Sequence, residues 1–152
     1  MFVTAARPEY DSIVHGNYGY NGHVVKLTGF PRYDRLKDCK EKIITIMPTW
    51  RAYLTEQTHQ DVQDGVKRYD DSFKKTEFFN FYNQLISRRE FLDFARSHGY
   101  QIRFMPHPNL ISYIDWFHHE DDVVFCSIHT KYRDIFAKSA LILTDYSSVA
   151  FD

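Results

Sequence analysis

Cysteine is scarce in this 152-residue chain. There are two, Cys39 and Cys126, far apart and in no metal-ligand spacing. That excludes a disulfide framework and reads as free, buried thiols in a reducing compartment. A charge of one sign is also missing: 19 Lys and Arg stand against 20 Asp and Glu, a net charge of -1. This argues against a general nucleic-acid or anionic-membrane binder. No apolar run approaches the ~18 residues of a membrane span. The opening residues, MFVTAARPEYD, have neither the basic nor the apolar region of a signal peptide. Internal repeats and low-complexity tracts are absent, and so is a GxSxG nucleophile elbow. What is plentiful is aromatic residues, 17% of the chain and spread along it, which core packing accounts for. The length suits one domain.

Residues 1–38 read as a short strand or loop, the turn-rich His15–Gly22, and a short apolar piece Val24–Leu27 ending at Gly29 and Pro31. From residue 43 the pattern becomes regular. Ile43–Met47, Gln101–Met105, Val123–Ile128 and Leu141–Leu143 are short, mainly apolar runs, read as continuous rather than alternating. The spacing predicts a helix over Glu77–His98, with Phe78, Phe81, Tyr82, Leu85, Leu92 and Ala95 inward and Gly99 as its stop. Further helices are expected from an Asn109 cap through Phe117 and over Lys131–Ser139. Residues 51–75 read as an extended loop with a short helical piece. Alternating strands and helices predict an α/β fold with a Rossmann-like parallel sheet covered on both faces.

In such a sheet the ligand sits beyond the carboxyl ends of the strands. Three ends are chemically suggestive: Met47-Pro48-Thr49-Trp50-Arg51, Met105-Pro106-His107-Pro108-Asn109, and Thr144-Asp145-Tyr146-Ser147-Ser148. Arg51 is a permanent cation that grips phosphate oxygens in a fork. His107, between prolines, has a restricted backbone and suits charge neutralisation or acid–base work. Ser147 and Ser148 offer hydroxyls and amides to a phosphate. Bland readings stand beside these: a solvated arginine, a histidine held in a turn, a serine helix cap, an Asp145 bonded to a loop amide, and a Tyr146 in the core. Three strand ends coinciding, rather than any one residue, favours a phosphorylated or diphosphate-linked ligand.

Other candidates are weaker. Gly16, Gly19 and Gly22 do not form the dinucleotide fingerprint, and turn chemistry explains them. His118-His119 with Glu120, Asp121 and Asp122 reads as a solvated helix end, because adjacent helical residues point apart. No convincing metal-ligand set is present.

Four strings in order and spacing resemble a known family: Thr28-Gly29-Phe30-Pro31-Arg32-Tyr33-Asp34, Met47-Pro48-Thr49-Trp50-Arg51, Pro106-His107-Pro108, and Leu143-Thr144-Asp145-Tyr146-Ser147-Ser148-Val149-Ala150-Phe151-Asp152. They look like the CDP-glycerol glycerophosphotransferases, the teichoic acid primases and polymerases and their capsule-polymer relatives. The resemblance implies a two-lobed glycosyltransferase-B architecture. Residues 1–38 would be the end of the N-terminal lobe and the crossover, and 39–152 a partial C-terminal nucleotide-binding domain. It implies transfer of glycerol phosphate from CDP-glycerol to a polymer hydroxyl with release of CMP. Another nucleotide-sugar transferase of that architecture, and a non-catalytic nucleotide-binding remnant, remain open beside it.

Residue by residue, the resemblance puts the catalytic histidine of the His-Pro motif on His107. It puts substrate contacts on Arg51, Thr144, Asp145, Ser147 and Ser148. It implies no metal and no cofactor. The partners expected are CDP-glycerol and a lipid-linked polyol phosphate polymer acceptor, with no nucleic acid. Self-association through an open sheet edge is expected. The family's second catalytic histidine lies in the N-terminal lobe, and neither His15 nor His23 is given that role. The chain stops at Phe151-Asp152 where the family continues, so it is expected to be a fragment that is inactive by itself and binds CDP-glycerol weakly at best. Its expected location is cytoplasmic, peripheral at the inner face of the cell membrane in the full-length protein.

Overall fold

The computed structural model describes residues 1–54, 71–118, 121–127, 129–147 and 149. The chain forms two compact units, Met1–Lys37 and Asp38–Asp152. In the first, β1 (Phe2–Thr4) and β2 (Val25–Leu27) pair in parallel around a crossover helix α1 (Arg7–His15). Val25 and Thr4 are fully buried, and the Thr4 hydroxyl donates to the Lys26 carbonyl. The sequence reading missed α1. Pro8 in its first turn is a helix-start signal, but the helix has no buried residue and hence no apolar stripe.

The second unit carries a four-stranded, all-parallel sheet. Its strands are β3 (Glu41–Met47), β4 (Gln101–Phe104), β5 (Val123–Phe125) and β6 (Ser139–Thr144). The spatial order is β5-β4-β3-β6. β3 pairs with β4 over Ile43–Ile46 and with β6 over Ile44–Met47. The expected strands are all present and the Rossmann-like α/β reading holds, but only β3 is buried on both faces: burial alternates along β4, and β5 and β6 are partly exposed, contrary to the expected double cover. β3 and β6 extend beyond their apolar cores, and Ile128 lies outside the described residues. A buried hydrogen bond of 2.7 Å between Thr45 and Ser139 ties β3 to β6.

The single helix expected over Glu77–His98 is two: α2 (Glu77–Ser87) and α3 (Arg89–Ser97). At 100° per residue, a continuous helix that buried Phe78, Phe79, Tyr82 and Ile86 would carry Leu92 and Ala95 roughly 90° or more off that face. Arg88, in extended conformation between the two helices, resets the phase so that both stripes are buried. Ser87 hydroxyl bonds to the Asn83 and Gln84 carbonyls compete with the ladder at the same place. Phe81, read as inward, is instead 62% exposed, on the opposite face from Phe79 and Tyr82. Gly99 ends α3 as expected. Its φ is +71°, and the Tyr100 and Gly99 amides bond back to Ala95 and Arg96 in a Schellman arrangement.

Thr76 starts α2 by accepting the Phe79 amide at 3.1 Å. Thr76→Ala is expected to cost about 1 kcal/mol of stability, measured by denaturant unfolding. A loss indistinguishable from zero would contradict the capping assignment.

The segment Pro108–Trp116 is a 3-10 run rather than an α-helix, and His107, not Asn109, caps it. α4 (Tyr132–Lys138) matches the expected Lys131–Ser139 helix. Of the expected loop 51–75, Ala52–Leu54 and Asp71–Lys75 form 3-10 turns, and 55–70 lie outside the described residues. The aromatic surplus resolves largely into one cluster. Phe73 stacks on Tyr113 at 4.4 Å and meets Phe78, Phe79, Trp116 and Phe117. Cys126 is buried, as read, but Cys39 is exposed in the polar lead-in to β3, which gives it nothing to pack against. No described helix is long and apolar enough to cross a membrane.

Candidate functional site

The strand order reverses at β3: the chain proceeds to β4 and β5 on one side, then returns to β6 on the other. This is a topological switch point, the place where ligands of open parallel sheets usually sit. A cleft of about 170 Å³ lies beyond the strand ends. The β3 loop lines it with Pro48 and Thr49, the β4 loop with Met105 and His107, the β6 loop with Tyr146, Ser147 and Val149, and α4 with Tyr132. This volume admits a group of phosphate or diphosphate size.

His107 and Ser147 therefore share one cleft. Arg51 and Asp145 sit beside them as a pair, with the guanidinium donating to the carboxylate at 2.5 Å. The second Asp145 oxygen accepts the Thr49 amide at 2.9 Å, so Asp145 is the bonded loop partner the sequence allowed. It staples the β6 loop to the β3 loop. Burial pushes its carboxyl up. The facing Thr49 hydroxyl, the Tyr146 and Thr49 amides and the Arg51 charge outweigh that and hold it below the ordinary carboxylate range. The Thr49 hydroxyl is buried against this carboxylate without reaching full hydrogen-bond geometry.

Because its pKa is lowered, Asp145 contributes stability above pH ~3.8, which is lost as pH falls through the lowered value. Asp145→Asn should therefore cost about 1 kcal/mol at pH 7, the pair being partly solvated. Thermal unfolding at pH 7 and near pH 2.5 checks this. The gap between the two proteins should narrow in acid, and a gap that widens would refute the staple.

Two tyrosines at this staple escaped the sequence reading. Tyr146 was placed in the core, yet it is 81% exposed, with the Arg51 guanidinium 5.6 Å from its ring centroid. Following β6 by two residues, it has left the sheet and gains cover only from that cation. Tyr82 of α2 reaches Asp145 from below. Burial, then the facing carboxylate, pushes its phenol up to about 12. Thr144 turns its hydroxyl to the Met47 carbonyl at 2.8 Å, bridging β6 to β3. Ser148 lies outside the described residues.

His107 is partly buried. Its Nδ1 accepts the Asn109 amide at 3.2 Å, and its ring stacks on Trp50 at 5.8 Å and 26°. Burial pulls its pKa below the ordinary histidine value. Pro106 and Pro108 limit the backbone on both sides. Trp50 follows directly on the cleft-lining Thr49, and no apolar periodicity announced its role. Among the described residues its Nε1 is buried without a hydrogen-bond partner. His118 is exposed, and His119 and Glu120 lie outside the described residues. Among the described residues no group of three His, Cys, Asp or Glu side chains converges.

A four-stranded parallel sheet with a small cleft at its switch point defines a Rossmann-like α/β unit. The chain belongs to the CDP-glycerol:poly(glycerophosphate) glycerophosphotransferase family, whose family model matches residues 2–152. It is 43% identical over 153 aligned positions to the minor teichoic acid biosynthesis protein GgaB of Bacillus subtilis (strain 168). That match covers 100% of this chain and 17% of GgaB, so the chain spans about a sixth of its relative's length. No solved structure gives a significant match.

Proposed function

We propose that this chain contributes the diphosphate-binding wall of a CDP-glycerol-dependent glycerophosphotransferase acting in teichoic acid synthesis. The observation that carries this is the meeting of His107 and Ser147 in one diphosphate-sized cleft, with Arg51 and Asp145 at its border, in a chain of this family. Residues 39–152 would belong to the nucleotide lobe of a glycosyltransferase-B architecture, and 1–38 to the crossover and the other lobe. The acceptor would be a lipid-linked polyol phosphate polymer, which would bring the full-length protein to the inner face of the membrane.

In the proposed reaction an acceptor hydroxyl attacks the β-phosphorus of CDP-glycerol in line. A new P–O bond forms to the acceptor, and the bond to the bridging oxygen breaks and releases CMP. The hydroxyl proton passes to a base on the opposite lobe. On this wall, His107 and the Ser147 hydroxyl would meet diphosphate oxygens, and N–H donors aimed at developing charge would favour departure of CMP. Arg51, spoken for by Asp145, would act as a neutralised staple whose cationic face remains beside the cleft.

Calorimetric titration of the chain with CDP-glycerol, CDP-ribitol and a UDP-sugar tests the reading. CDP-glycerol should bind, and His107→Ala should weaken it roughly tenfold. Equal or better binding of a UDP-sugar would favour a sugar transferase. No binding of any of the three would overturn the nucleotide assignment.

A further inference from the structure

We infer that His107 is held as a neutral imidazole with its proton on Nε2, and that it serves the cleft as a hydrogen-bond donor rather than as a proton acceptor. The role toward a ligand rests on the nucleotide reading above; the tautomer does not.

The inference begins with Nδ1. A backbone amide is only a donor, so the nitrogen that accepts the Asn109 amide must present a lone pair. In a neutral ring the proton then sits on Nε2. An imidazolium would set an N–H against an N–H and forfeit that bond. Nor is the bond incidental. Pro108, the first residue of the 3-10 run, has no amide hydrogen, so Asn109 carries the first unpaired donor. His107 is the cap that satisfies it, and protonation would uncap the run.

Among the described residues nothing nearby compensates a charge on the ring. Among the described residues, the ionisable groups on the cleft wall besides His107 are the phenols of Tyr132 and Tyr146. Cys126, beyond Met105, lines the adjoining pocket. Asp145 is committed to Arg51 and Thr49, so it does not serve as counter-ion to the ring. The Trp50 face would favour a cation modestly, but the same stack excludes water. Burial wins, and the ring's pKa is lowered. Among the described residues Nε2 has no protein partner, and it is the ring atom left for the cleft.

A neutral Nε2–H is a poor acid and has no lone pair to offer as a base. It is a fixed donor for an anionic oxygen, strongest where negative charge grows on a leaving phosphate. The base for the acceptor hydroxyl must then come from elsewhere in the enzyme.

Long-range proton–nitrogen NMR of the labelled chain reads the tautomer directly, with His107 assigned by the signal lost in His107→Ala. The expected result at pH 7.5 is the Nε2–H pattern, with a titration midpoint below 6.5. The Nδ1–H pattern, or a ring still charged at pH 7, would overturn the inference. Titration with CDP-glycerol, which has no ionisation of its own near neutrality, reads the role. Wild-type affinity should be flat from pH 7.5 to 8.5. His107→Gln, whose amide N–H replaces Nε2–H, should stay within about threefold of wild type, whereas His107→Ala should lose roughly tenfold. Affinity that falls with rising pH in wild type but not in His107→Ala would mark an imidazolium and overturn the donor role. If wild type binds no CDP-glycerol, the nucleotide reading fails, and the NMR result alone decides the state of the ring.

Discussion

His107→Ala, placed in a full-length transferase that carries this segment, is expected to lower turnover by roughly 10²-fold or more. That magnitude belongs to a pre-placed donor at a site of developing charge, worked in a partly dehydrated cleft. The ring is pre-placed by four independent restraints: Pro106, Pro108, the Asn109 amide and the Trp50 stack. The loss should fall mainly on kcat if the donor is used more in the transition state than in the bound substrate, and on KM if it is used equally in both. His107→Gln should recover most of the lost rate, because it restores an N–H near the same point. The fold should lose only about 1 kcal/mol, the cost of an N-terminal cap on one 3-10 run. Turnover within a few-fold of wild type in the alanine variant would return His107 to the role of a capping residue.

The parts of this molecule legible in its sequence are those written in local patterns. β3 appears as an apolar run stopped by Pro48, because a central parallel strand is buried on both faces, whereas β4 alternates as Gln101-Ile102-Arg103-Phe104 and is marked by the stop at Pro106, since proline cannot continue a ladder. Gly99 announces the end of α3 because only glycine takes φ +71° at little cost. The site was legible only as three strand tips. That they converge follows from the position of β6 beside β3, a fact of strand order that no local pattern encodes.

The same limit hid Tyr82. Its helical phase reads correctly as core, yet the hydroxyl at the end of that core side chain reaches Asp145 across 63 residues of sequence. Arg88 was invisible for another reason. Phe78 through Ala95 looks like one amphipathic helix until the angle from Ile86 to Leu92 is counted, and a break that rephases two stripes leaves no glycine or proline behind. Cys39 and Phe81 show the converse error, in which apolar character was taken for burial at positions the fold turns outward.

Phe104→Ala is expected to remove about 3–5 kcal/mol of stability, a large share of the ~5–15 kcal/mol that holds a domain together. Phe104 is the last residue of β4 and fully buried. Its ring meets Phe117 at 5.1 Å, Phe125 at 5.4 Å and Tyr82 at 6.3 Å, joining β5, α2 and the 3-10 run to the centre of the sheet. Neighbours drawn from three elements cannot all relax into one vacated space, so most of the cavity persists. The midpoint of thermal unfolding should drop by roughly 10 °C or more. Phe81→Ala, on the same kind of side chain but at an exposed position, should stay within about 0.5 kcal/mol of wild type. The site is tied to the same ring: Met105 and His107 follow Phe104 directly, while Tyr82 joins it to the Asp145 staple. Ligand binding should therefore weaken in Phe104→Ala even at temperatures where the chain remains folded, as β4 loses its anchor next to the cleft. Equal destabilisation by Phe81→Ala and Phe104→Ala, measured by the same denaturant titration, would show that the core does not centre on β4.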